Sequence, residues 1–96
     1  MARVELSSAA VDDLEELIRS HSLPSDTAAR VARSLRALED FPLMGPELSG
    51  RWSGLRFLIG PWRWMLFVYA VLDGDERVVV VTIQDARSAS AATSER

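Results

Sequence analysis

Four arginines, Arg51, Arg56, Arg63 and Arg87, stand in or beside the most apolar stretch of this 96-residue chain. A guanidinium is always charged and presents a planar fork of donors that matches phosphate and carboxylate oxygens. The chemistry such a set supports is the gripping of an anion. All eleven basic residues are arginine, and lysine is absent. A compositional bias of the source genome is the plainer explanation, and selection for forked donors the sharper one. Three arginines and no acid fall between 51 and 63, whereas Asp12, Asp13, Glu15 and Glu16 crowd an early segment. The groups able to move a proton are few: Glu47, Tyr69, Asp85 and the sole histidine, His21. Asp85 sits two residues from Arg87, so an ion pair competes with any catalytic role. His21 falls at the end of a helical segment, where packing or capping is the ordinary use.

Composition narrows the classes. Without cysteine there are no disulfides or thiolate metal sites, and one histidine among scattered carboxylates makes a poor zinc site. No metal or cofactor is expected. The net charge of −3 argues against general coating of nucleic acid, which calls for a strongly basic domain. The N-terminal residues lack the basic-then-apolar pattern of a signal peptide, and no apolar run approaches the roughly 20 residues that span a bilayer. The expectation is a cytoplasmic protein with no membrane partner.

The elements that must position these residues follow from periodicity. Arg3–Leu6 reads as a short strand. Ser7 and Ser8 can cap a helix whose stripe is Val11, Leu14, Leu17, Ile18 and His21. Pro24 ends it, and Ser25 and Asp26 start a second helix with the stripe Ala28, Val31, Ala32, Leu35 and Leu38. Arg30, Arg33 and Arg36 lie on its opposite face. Residues 43–53 form a loop, Leu55–Ile59 a strand, Gly60-Pro61 a turn, Trp64–Leu72 the central strand, Asp73-Gly74-Asp75 a hairpin turn and Val78–Asp85 the last strand. The order predicts an α+β domain: an N-terminal strand, an αα-hairpin, then a three-stranded antiparallel meander, with the helices on one face of an antiparallel sheet. Residues 1–87 form the single domain. Residues 88–96, rich in alanine and serine without apolar periodicity, are expected to be a flexible C-terminal tail.

The central strands have no polar face. Trp64, Leu66, Val68, Ala70 and Leu72 share one parity, and Met65, Phe67, Tyr69 and Val71 share the other. Something must therefore cover the second side, and in a chain this short the cover is expected to be partly another molecule. Trp52, Trp62 and Trp64, with Arg51, are the candidate partner-binding set, because tryptophan and arginine dominate interface hot spots. Core and edge packing is the competing account of the tryptophans. Alone, the chain is expected to expose an apolar patch larger than monomers tolerate.

Several segments together resemble RelE/ParE toxins. They are the strand ending Leu6-Ser7 before Ala9-Ala10-Val11-Asp12-Asp13-Leu14; the helix closed by Leu38, Pro42 and Gly45; Gly54-Leu55-Arg56-Phe57-Leu58; Phe67-Val68-Tyr69-Ala70-Val71; and Val79–Arg87 with its terminal arginine. The resemblance spans about residues 3–88. It implies the RelE/ParE-like fold and the toxin half of a type II toxin–antitoxin pair. Such a toxin is neutralised by a cognate antitoxin that wraps its surface, and it reaches operator DNA only through that antitoxin.

The resemblance leaves the target open. Members similar to RelE cleave messenger RNA on the ribosome, which without metal needs a base, an acid and cations around the phosphate. Arg63, Arg87 and Arg56, with Asp85, are the candidate catalytic set. Arg87 matches the family's terminal basic residue, while counting along the central strand puts either Arg63 or Leu66 at the family's arginine position. Members similar to ParE bind DNA gyrase and need no hydrolytic residues, which suits an acidic, lysine-free surface. The third alternative is a catalytically inactive relative that serves only antitoxin binding and autorepression.

Overall fold

The computed structural model describes residues 1–94. Strand β1 (Arg3–Leu6) leads into helix α1 (Ser8–Ser20), helix α2 (Thr27–Leu35) and a short turn of helix, α3 (Ala37–Asp40). After a loop holding a 3₁₀ turn at Gly50–Trp52 come β2 (Arg56–Ile59), β3 (Met65–Leu72) and β4 (Arg77–Asp85). The four strands form one sheet in the order β1-β4-β3-β2. The meander is antiparallel as expected. The sheet as a whole is mixed rather than antiparallel, because β1 runs parallel to β4, with Val4 opposite Val78 and Leu6 opposite Val80. The helical crossover starts β2 in the direction of β1, and two hairpin reversals return β4 to that same direction.

Helix α1 begins where the sequence places it. The Ser7 hydroxyl accepts from the Ala10 N–H at 3.0 Å and donates to the Val81 carbonyl at 3.0 Å. One side chain thus caps the helix and ties it to the sheet, a contribution of about 1 kcal/mol. Val81 is an extra residue in β4, since Val68 pairs with Thr82 but Tyr69 with Val80. Beyond this bulge β1 has ended, and Asp13 takes over as acceptor: its Oδ2 receives the Thr82 hydroxyl at 2.6 Å and the Ile83 N–H at 3.1 Å. An acid that reads as one of a solvated cluster in sequence is therefore a stitch between helix and strand.

The sheet separates two cores. Toward the helices, Met65, Phe67 and Tyr69 of β3 and Val78, Val80 and Ile83 of β4 pack with Ala10, Leu14, Leu17, Val31, Leu35 and Leu38. The helical stripes are narrower than predicted, with Val11, Ala28 and Ala32 exposed. On the other side Leu66 and Val68 are buried with Leu48, Ala91 and Ala92, flanked by Trp52, Leu55, Phe57, Val81 and Ala86. Residues 88–94 turn back over this face, where Ala91 and Ala92 are only 3 % exposed. The Ala92 N–H donates to Gln84 Oε1 at 2.8 Å, and the Ser94 hydroxyl to the Ala91 carbonyl at 2.8 Å. Glu95 and Arg96, the end of the expected tail, lie outside the described residues.

Trp64 departs from the parity assigned to it. It precedes β3, in a turn closed by the Met65 N–H on the Trp62 carbonyl and the Gly60 N–H on the Met65 carbonyl. Strand alternation does not reach it, and it packs with the helix-side core instead of with Leu66.

Candidate functional site

Where β3 begins and β4 ends, α1 closes with His21, whose N–H donates to the Leu17 carbonyl at 3.0 Å. Four side chains from three elements meet here. The imidazole of His21 stacks on Trp64, with centroids 4.5 Å apart and planes 15° from parallel. Its Nε2 lies 3.2 Å from Asp85 Oδ2, and its Nδ1 2.9 Å from the Ser20 hydroxyl. Arg87 donates through Nε to Asp85 Oδ1 at 2.9 Å and through Nη2 to Oδ2 at 2.8 Å, a two-pronged pair. The same guanidinium carbon sits 5.1 Å from the Trp64 ring centroid. The aromatic surface continues to Trp62, 6.3 Å from Trp64, and Arg30 of α2 lies over Trp62 at 5.6 Å. Cations thus lie over both indoles, drawn by the negative faces of the rings.

The electrostatics fix the state of the carboxylate. The Arg87 side chain, joined by the Arg87 N–H at 2.9 Å and by His21, holds Asp85 well below the usual carboxylate range, against a smaller opposing effect of burial. Asp85 in turn raises Arg87 above the ordinary arginine value. A carboxylate held this firmly as an anion is a weak proton acceptor. Its geometric effect is to orient the guanidinium and the imidazole around Trp64.

The remaining candidates scatter. Arg63 stands in the turn between Trp62 and Trp64, exposed, with no ion-pair partner among the described residues. Arg56 works elsewhere: its Nη1 donates to the carbonyls of Leu43 at 3.1 Å and Gly45 at 2.7 Å. Tyr69 is fully buried beside that loop, its hydroxyl accepting from the Gly45 N–H at 2.9 Å and donating to the Pro42 carbonyl at 3.0 Å. Burial pushes its phenol above the ordinary value. Glu47 is exposed, and its backbone forms an isolated antiparallel β-bridge with that of Arg56. Arg51 lies over Trp52 at 5.7 Å on the opposite sheet face, next to the 89–94 segment. The three tryptophans are therefore divided, two on the helix side and one on the other.

The structure brings Arg87, Asp85, Trp62 and Trp64 together and adds His21 and Arg30. In the sequence His21 falls at a helix end and Arg30 on the face of the second helix opposite its apolar stripe. The spacing of neither residue points to a tryptophan that lies far away in the chain.

A strand, a helical crossover and an antiparallel meander define the class of RelE/ParE-like toxin domains. Residues 4–89 match the family model described as the ParE toxin of the type II toxin–antitoxin system parDE, and the chain belongs to that family. Among solved structures it is similar to a chain of the ParDE system of P. aeruginosa, with a TM-score of 0.71 and 12 % identity, covering 91 % of this chain and 98 % of that one. It is also similar to a chain of the RelBE2 toxin–antitoxin complex from Mycobacterium tuberculosis, with a TM-score of 0.66 and 22 % identity over 88 % and 96 % of the two chains. A conserved protein of Helicobacter pylori, HP0894, has a TM-score of 0.60 and 21 % identity over 86 % and 92 %. No curated protein matches.

Proposed function

We propose that this chain is a growth-inhibiting toxin that acts by binding a target protein, DNA gyrase, rather than by cutting RNA, and that a cognate antitoxin neutralises it. The observation that carries this reading is the engagement of Asp85, Tyr69 and Arg56 in structural contacts. Asp85 is locked as an anion by Arg87, the Tyr69 hydroxyl is buried and spent on loop backbone, and Arg56 is turned onto loop carbonyls. What faces outward at the site is a cation-bordered aromatic surface, with the exposed Arg63 in the turn between Trp62 and Trp64 and no ion-pair partner for it among the described residues. Aromatic rings and arginines in one patch are the composition of protein hot spots.

The deciding experiment is induction followed by two measurements, supercoiling by gyrase with purified toxin and primer extension on cellular transcripts. Inhibited supercoiling with intact transcripts is expected. Ribosome-dependent cuts within codons, with gyrase unaffected, would overturn the gyrase reading. Replacing Trp62 and Arg63 together by alanine is expected to relieve inhibition while the protein still binds its antitoxin.

A further inference from the structure

Among the described residues seven large apolar side chains are conspicuously exposed, and five of them, Met1, Phe41, Leu43, Met44 and Leu72, gather at the end of the sheet opposite Trp62 and Trp64. The Ala2 N–H on the Glu39 carbonyl and the Arg3 N–H on the Glu76 carbonyl bring the N-terminus, the end of α3 and the start of β4 to this end. Leu72 ends β3 beside the hairpin turn, and Phe41, Pro42, Leu43 and Met44 line a depression of about 360 Å³ with Asp75 of that turn.

The loop is held rigid from below. Tyr69 and Arg56 bind the carbonyls of Pro42, Leu43 and Gly45. A Cβ on Gly45 would fall 2.2 Å from the Phe57 carbonyl oxygen, so the backbone seats directly on β2. A loop fixed by side-chain bonds to its backbone while Phe41 remains 65 % exposed is organised before anything binds it.

Acids predominate on the rim, where the Met1 ammonium lies at the same end and the Arg56 guanidinium is committed to the Leu43 and Gly45 carbonyls. Asp40, Asp73, Asp75 and Glu76 are exposed there, and none forms an ion pair among the described residues. The nearby Arg3 and Arg77 are both turned to Glu5. A two-fold contact between copies of this chain would bring acid against acid around the apolar centre, which disfavours a second copy as the occupant.

We infer that the Phe41–Met44 loop and the 72–76 hairpin form a docking surface for a partner protein, whose docking segment is amphipathic and carries lysine or arginine beside its apolar anchors. The apolar side chains fill the depression, and the flanking cations meet the four acids. The surface is separate from the tryptophan end, and the inference does not depend on which molecule the toxin inhibits.

Purified full-length protein is titrated with a designed helical peptide of leucine and lysine, and with its leucine and glutamate counterpart, by calorimetry and amide chemical-shift mapping. The lysine peptide is expected to bind, to shift amides at 40–45 and 72–76, and to weaken as salt rises. Phe41→Ser with Met44→Ser is expected to weaken it about tenfold. Asp73→Asn with Asp75→Asn, which suits the positive φ of both positions, is expected to weaken it several-fold and to flatten the salt dependence. Equal binding of the glutamate peptide overturns the inference. So do shifts centred on the acidic face of α1, or a concentration-dependent dimer that Phe41→Ser abolishes. Unchanged spectra away from the substituted loops confirm that the variants are folded.

Discussion

On one side of the sheet Met65, Phe67 and Tyr69 lie under three helices; on the other Leu66 and Val68 meet Leu48 and two alanines of the C-terminal segment. Both sides exclude water from β3, but by different means. The helix side interlocks large side chains from elements that are themselves hydrogen-bonded, so removal of one leaves neighbours little room to move. The second side is closed in part by small side chains on a segment of turns, which can follow a change in shape. Stability is therefore concentrated on the helix side, and the opposite face is the part that opens at low cost.

Leu38, fully buried on the helix side, and Leu66, fully buried on the other, form a matched pair for testing this difference. Leu38→Ala is expected to cost about 4 kcal/mol and Leu66→Ala about 2, the spread at fixed chemistry reflecting how well each site collapses. Denaturant midpoints at constant m-value measure both. Equal losses would break the asymmetry.

Ending the chain after Arg87 is expected to cost about 1–2 kcal/mol, the scale of a small apolar area re-exposed. Leu66 and Val68 then lose part of their cover, and binding of a hydrophobic dye is expected to rise. A truncated protein with unchanged midpoint and no dye binding would show that residues 88–94 contribute nothing to the second face.

Most of the framework was legible in the chain. The alternation through 65–72, the Ser7 cap and the Asp73-Gly74-Asp75 turn each follow from local chemistry, and they yielded the meander and the first helix. The direction of β1 was not legible, because parallel pairing across a helical crossover leaves no local signature. The cover of the second face was not legible either. Alanine at 91 and 92 carries too little hydropathy to mark a buried segment, so strands without a wet face pointed to a missing partner when part of the answer lay near the chain's own end. At the site, proximity in sequence found the Asp85–Arg87 pair. The stacking of His21 on Trp64 depends on where α1 ends relative to β4, a tertiary fact that no spacing encodes.

Asp85 sharpens the comparison most finely, because it binds the helix layer to the sheet without touching the second face. Its partners are His21 at the end of α1 and Arg87 beyond β4. Asp85→Asn is expected to cost about 1 kcal/mol, below the usual value for a charged hydrogen bond because Arg87 is largely exposed. The folded carboxyl is held below its unfolded value, so its stabilisation is present above the unfolded value of about 4 and is lost as pH falls through the folded one. Wild-type protein should therefore lose its margin over Asp85→Asn progressively on acidification below about pH 5, while the difference stays constant from there to about pH 6. Amide exchange gives the spatial reading. In the variant, protection is expected to fall at the last turn of α1 and to hold at Ala91 and Ala92; loss of protection at those alanines would mean that the two sides of the sheet open together.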